Sequence, residues 1–84
     1  LKVEVYFFDE PFAGLFPAMI KTVAKILQNL RQEGKTVILV EHNMNLIREL
    51  SDRVIVMDSG ELLAEGEPTP VLQRRAVVEA YLGE

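Results

Sequence analysis

The sequence predicts a mixed α/β fold: a βαβ unit with parallel strands, then a short helix, a β-hairpin and a C-terminal helix. Three observations carry this expectation. Val5 to Phe8 and Val37 to Val40 are apolar at every position, the pattern of parallel strands covered on both faces. Between them lies a stretch with the 3.6-residue period of an amphipathic helix. Strand, helix and strand follow one another within about forty residues, the span of one right-handed crossover.

The first strand runs from Val3 to Asp9 and ends at Asp9-Glu10-Pro11, before the small stretch Phe12-Ala13-Gly14. Pro17 then starts a helix at the position where a missing N–H costs least. Ile20, Val23, Ala24, Leu27 and Leu30 form one apolar stripe, and Lys21, Lys25, Gln28 and Gln32 take the wet side. Gly34 is the expected left-handed cap. Thr36 to Glu41 reads as a second doubly buried strand. Asn43 caps a shorter helix through Leu50, with Met44, Ile47 and Leu50 facing inward. Arg53–Met57 and Glu61–Glu65 flank Asp58-Ser59-Gly60 as a hairpin, closed by Gly66. Thr69-Pro70 supplies a cap and a first-turn proline for a last helix ending at Tyr81-Leu82. No repeat or linker interrupts the chain, so residues 1–84 are expected to form one unit.

Composition narrows the function classes. The net charge is −4, from 9 basic and 13 acidic residues. That balance argues against nucleic acid or an anionic membrane as main partner, since both select a clustered basic surface. Without cysteine, disulfides, thiolate metal sites and cysteine nucleophiles are excluded. The apolar runs are too short to cross a bilayer or to serve as a signal peptide, so a soluble, cytoplasmic protein is expected. At 84 residues the chain buries only roughly 60–65% of its unfolded surface. Oligomerisation or a missing remainder follows as an expectation.

Three places can carry chemistry. Asp9-Glu10 stands at the C-terminal end of a buried strand, where open α/β sheets collect ligands. Two carboxylates there can divide the work, one holding Mg²⁺ and the other orienting a water; the plainer alternative is a polar turn that caps backbone N–H groups. His42, the only histidine, follows Glu41 at the end of the next strand. If the strands are parallel neighbours it emerges on the same sheet edge, able to hydrogen-bond a phosphate or only to help cap the next helix. Gly34-Lys35-Thr36 imitates the end of a phosphate-binding loop. However, the glycine needed five positions earlier is Asn29, and the segment leads from helix to strand rather than strand to helix.

Taken together these residues resemble a family. Tyr6-Phe7-Phe8-Asp9-Glu10-Pro11-Phe12-Ala13-Gly14-Leu15 is similar to the Walker B strand and D-loop of ATP-binding cassette (ABC) ATPases, and Val40-Glu41-His42-Asn43-Met44 to their switch-histidine segment. Asp52 to Gly60, Ala64 to Pro70 and Val78 to Glu84 continue the likeness, most of all to the ATPase subunits of branched-chain amino acid importers. The resemblance implies a partial P-loop NTPase fold, the C-terminal portion of the ATPase domain from Walker B onward. It implies that Asp9 holds the Mg²⁺ of MgATP through water, that Glu10 polarises the attacking water, and that His42 contacts the γ-phosphate. Ala13, Gly14, Leu15 and Phe16 would lie in the D-loop, which in the family touches a second subunit.

Two departures shape the expectation. Where the family has Asp or Asn before the helix, this chain has Phe16, which offers no acceptor for a cap. The Walker A loop, glutamine loop and signature motif of the family have no counterpart in these 84 residues. The expected function is therefore that of a C-terminal fragment of a transporter ATPase, inactive alone, binding no cofactor tightly. Its expected partners are a homo-oligomer or another ATPase chain and, in a transporter at the inner membrane, permease subunits; no nucleic acid binding and no membrane insertion are expected. The alternative is a non-enzymatic module that self-associates or docks on a partner. A small α/β domain whose Asp-Glu pair and histidine are incidental is the third reading.

Overall fold

The computed structural model describes residues 4–82. The expectations for Val3, Gly83 and Glu84 lie outside the described residues. Contacts divide the chain into two compact units, one ending at Glu41 and the other beginning at His42.

The first unit is the βαβ crossover: β1 (Val5–Asp9), α1 (Pro17–Gln32) and β2 (Thr36–Val40). β1 and β2 pair in parallel, with Val5 opposite Thr36, Phe7 opposite Ile38 and Asp9 opposite Val40. Proline stands at the start of α1 and Phe16 occupies its N-cap without a side-chain hydrogen bond. At the other end Gly34 adopts φ 84°. Its N–H donates to the Arg31 carbonyl at 3.0 Å and the Lys35 N–H to that of Leu30 at 3.1 Å. These nested bonds satisfy carbonyls that the helix end would otherwise leave open. α1 packs on β2, and Leu27 and Phe12 are the deeply buried apolar side chains of this unit.

The expected burial of both strand faces is not found. Tyr6, Phe8, Val37 and Leu39 are half-buried, with the Tyr6 and Phe8 rings stacked at 6.4 Å. On the opposite face Val5 is 56% exposed, Phe7 64%, Ile38 45% and Val40 43%. The physical reason is simple: among the described residues this sheet has two strands and one crossover helix, and one helix covers one face.

The second unit comprises α2 (Met44–Leu50), the antiparallel strands β3 (Val54–Asp58) and β4 (Glu61–Gly66), α3 (Pro68–Leu72) and α4 (Arg75–Leu82). The Asn43 side chain accepts hydrogen bonds from the N–H groups of Asn45 and Leu46 at 3.0 and 3.2 Å, the cap expected from its residue type. Leu46 joins Ile47 among the buried residues of α2, while Met44 and Leu50 are half-buried. Asp58 belongs to β3, so the hairpin loop is Ser59-Gly60 alone. Both loop residues have positive φ, 53° and 80°, the geometry that matches the twist of the flanking strands. A bulge lies opposite Val56 and Met57. Val54, Val56, Ala64, Val71, Leu72 and Val77 make the core.

The C-terminal helical stretch is divided. Glu67 rather than Thr69 is the N-cap, Pro68 takes the first helical position, and the helix stops at Leu72 before α4 resumes at Arg75. Val71 and Val77 are both only 2% exposed. Six steps of about 100° each would set them on different sides of one continuous helix, so the break lets both enter one core. The Tyr81 hydroxyl donates to the Met57 carbonyl.

Candidate functional site

Parallel pairing brings the carboxyl ends of β1 and β2 to one edge. Asp9 is the last residue of β1, exposed, directly across from Val40. One residue further the Glu10 N–H donates to the Val40 carbonyl at 2.8 Å, which extends the ladder past the strand and aligns Glu10 with Glu41. Each of the two glutamates places a carboxylate oxygen within 4.8 Å of one on the other. Both residues are half-buried, and Oε1 of Glu41 is shielded from solvent. A cation or hydrogen-bond donor between two such carboxylates is electrostatically favoured. Glu10 and Glu41 offer oxygen donors, the chemistry of hard cations such as Mg²⁺.

Glu10 holds the left-handed conformation, φ 52°. This backbone state is uncommon for a residue with a Cβ. It turns the chain sharply out of β1, and non-glycine residues in such states concentrate at functional sites. The turn is fixed by the Ala13 N–H donating to the Glu10 carbonyl at 3.2 Å and the Leu15 N–H to the Phe12 carbonyl at 3.3 Å. Gly14 supplies a second positive φ, 74°.

Phe12 anchors this loop, at 5% exposure. Its role was not legible as part of a small, flexible stretch. The available signal was a lone large apolar residue among Pro, Ala and Gly, which has burial as its reason to be there. Glu41 carries no site signal in the sequence pattern; the parallel register brings it forward. Ala13 and Gly14 are exposed, Leu15 is half-buried, and Phe16 is 80% exposed. His42 is exposed and follows Glu41 directly, one residue before the α2 cap.

No family model matches the chain. The chain is similar to the high-affinity branched-chain amino acid transport ATP-binding protein LivG of Escherichia coli (strain K12). The two are 39% identical over 82 residues, 96% of this chain and 32% of LivG. It is also similar to the lipopolysaccharide export system ATP-binding protein LptB of the same strain, 37% identical over 76 residues, 90% of this chain and 32% of LptB. Among solved structures, the ADP conformation of MJ1267, an ATP-binding cassette of an ABC transporter, superposes with a TM-score of 0.82 at 32% identity. That match covers 96% of this chain and 34% of the cassette. The chain thus spans about a third of the length of the curated relatives it matches.

Proposed function

Because the chain belongs to the ATP-binding proteins of ABC transporters and folds as part of their P-loop NTPase cassette, we propose that it carries the hydrolytic edge of such an ATPase. The observation that supports this reading is the register of β1 and β2, which aligns Asp9-Glu10 with Val40-Glu41 at one sheet edge and leads directly into His42. In this reading residues 1–84 are one partial domain, the C-terminal portion from Walker B onward.

The roles follow from chemistry. Asp9 would hold Mg²⁺ through water, and the ion supplies charge neutralisation on the transferring phosphate. Glu10, aimed by its left-handed backbone, orients and polarises the attacking water. His42 donates a hydrogen bond to the γ-phosphate and reports its presence to α2 through the adjoining Asn43 cap. Ala13, Gly14, Leu15 and Phe16 form the loop that meets a second ATPase subunit. Phosphoryl transfer asks mainly for positioning and charge stabilisation, which these few groups provide together.

The solute favoured is a branched-chain amino acid, since LivG exceeds LptB in both identity and coverage. Permease subunits would hold the assembly at the cytoplasmic side of the inner membrane. Among the described residues no helix is long and apolar enough to cross a membrane. The 84 residues contain no glycine-rich phosphate loop, so the isolated chain is expected to hydrolyse no ATP. Micromolar MgATP binding by it in calorimetry would overturn that part. The second reading, a docking module without chemistry, is favoured by the exposed apolar face of β1 and β2.

A chimera tests the catalytic reading: this chain replaces the matched 82-residue stretch of LivG, and nucleotide binding and hydrolysis are both measured. The chimera should hydrolyse ATP, and Glu10→Gln should lower turnover by about 10²–10⁴-fold with binding kept. Equal turnover in that variant removes Glu10 from the mechanism. A chimera that binds MgATP yet never hydrolyses it overturns the proposal.

A further inference from the structure

In sequence Glu41 merely ends an apolar strand; its burial is what sets it apart. Val37 and Leu39 are the half-buried positions of β2, and Glu41 follows at the next alternate position, half-buried as well. An apolar side chain would continue that side of the strand. A carboxylate stands there instead, with Oε1 shielded from solvent. It meets a second carboxylate. The Glu10 N–H donates to the Val40 carbonyl at 2.8 Å, so the register sets Glu10 beside Glu41. One carboxylate oxygen of each lies within 4.8 Å of the other.

Packing gives no reason for this pairing. Like charges at that separation repel, and half-burial weakens the screening that water and salt provide. Residues that break the local pattern without a packing gain are expected at functional sites. The separation itself has a chemical meaning. A water that donates both of its O–H groups, at about 2.8 Å between oxygens, spans two acceptors about 4.4 Å apart. One carboxylate fixes one O–H direction and leaves the molecule free to turn about it. Two fix its plane, and with it the direction of the oxygen lone pairs.

We propose that Glu41 is a second catalytic carboxylate, which accepts one O–H of the attacking water while Glu10 accepts the other. This role rests on Glu10 being the residue that polarises that water. The water oxygen forms its bond to the γ-phosphorus as the bond from phosphorus to the leaving oxygen of ADP breaks, and that electron pair stays on ADP. The proton directed at Glu10 passes to its carboxylate and from there to solvent. The proton directed at Glu41 stays on the water oxygen and departs on the phosphate product. Glu41 thus takes no proton; it contributes by orientation.

The test uses the LivG chimera that carries this chain. Glu41→Leu keeps much of the side-chain volume and has no acceptor. It should lower kcat about 10–10²-fold and leave the ATP affinity measured by calorimetry unchanged. Glu41→Ala should behave alike, so that the result does not depend on how one replacement packs. Glu41→Gln retains one acceptor oxygen and should recover most of the loss. With Glu10→Gln already present, Glu41→Leu should cost far less than it does alone, since both side chains act on one water. Unchanged turnover in Glu41→Leu and Glu41→Ala overturns the proposal. So does a loss of the same factor with and without Glu10→Gln, and so does a loss that follows from weaker ATP affinity. If Glu10→Gln lowers turnover and the two Glu41 variants do not, the role of Glu41 fails alone. If Glu10→Gln leaves turnover unchanged, the hydrolytic role of Glu10 fails and that of Glu41 with it.

Discussion

The two units of the chain are built to opposite standards of completeness. Among the described residues, Phe12 and Leu27 are the buried apolar side chains of the first unit. The second has Leu46, Ile47, Val54, Val56, Ala64, Val71, Leu72 and Val77. The strand compositions explain the contrast. β1 and β2 are apolar on both faces and have one helix to cover them; β3 and β4 alternate, with Val54, Val56 and Ala64 turned to a core closed by α3 and α4. Charge divides the same way. Residues 1–41 carry five basic and five acidic groups, whereas residues 42–84 carry four and eight. The acidity that argues against nucleic acid is thus a property of the second unit, while the candidate carboxylates sit in a neutral one. The unit that carries the candidate carboxylates is thus the less completely packed of the two.

The sharpest way to break this comparison is to ruin the better core. Val77→Asp places a carboxylate where the side chain is 2% exposed, and should cost at least about 3 kcal/mol. Urea unfolding followed by hydrogen exchange should show protection lost in β3, β4 and α3. A variant with an unchanged midpoint would show that the second unit has no tightly packed core.

A smaller effect is expected in the first unit. Leu27→Ala removes one of the two deeply buried side chains among its described residues and should cost about 2–3 kcal/mol. The value falls toward the low end because Val23, Ala24 and Leu30 are only half-buried and can relax into the space. A loss as large as that of Val77→Asp would mean that the first unit is as well packed as the second. The smallest change is Asn43→Ala at the α2 cap, about 1 kcal/mol, with faster exchange at the Asn45 and Leu46 amides that it now bonds. Unaltered exchange at those two amides would remove the cap from the account.

Much of the fold was legible because its signals are local. Pro17, Gly34 and Asn43 mark helix ends through the backbone groups they leave out or satisfy, and the structure uses each as expected. Ser59-Gly60 turns the hairpin because its backbone tolerates positive φ. The division between α3 and α4 was not legible: Thr69-Pro70 suggested one start, whereas the helix begins at Pro68 behind Glu67, and the burial of both Val71 and Val77 goes with a break. At the site, Asp9, Glu10 and His42 were legible as residue types following strands. Glu41 and Phe12 were not, because one depends on which residues pair across strands and the other on what a loop side chain reaches.

The sequence by itself determined the order of elements as far as the hairpin, the helix ends at Pro17, Gly34 and Asn43 and the parallel sense of the crossover, since periodicity, proline, glycine and side-chain capping act over a few residues. Only the tertiary structure decided which strand face is covered, that Glu10 turns left-handed, and that its carboxylate meets that of Glu41. An all-apolar strand states that both faces should be buried, but coverage depends on polypeptide distant in sequence. In this chain one helix serves one face of β1 and β2 and leaves Phe7 and Ile38 in solvent.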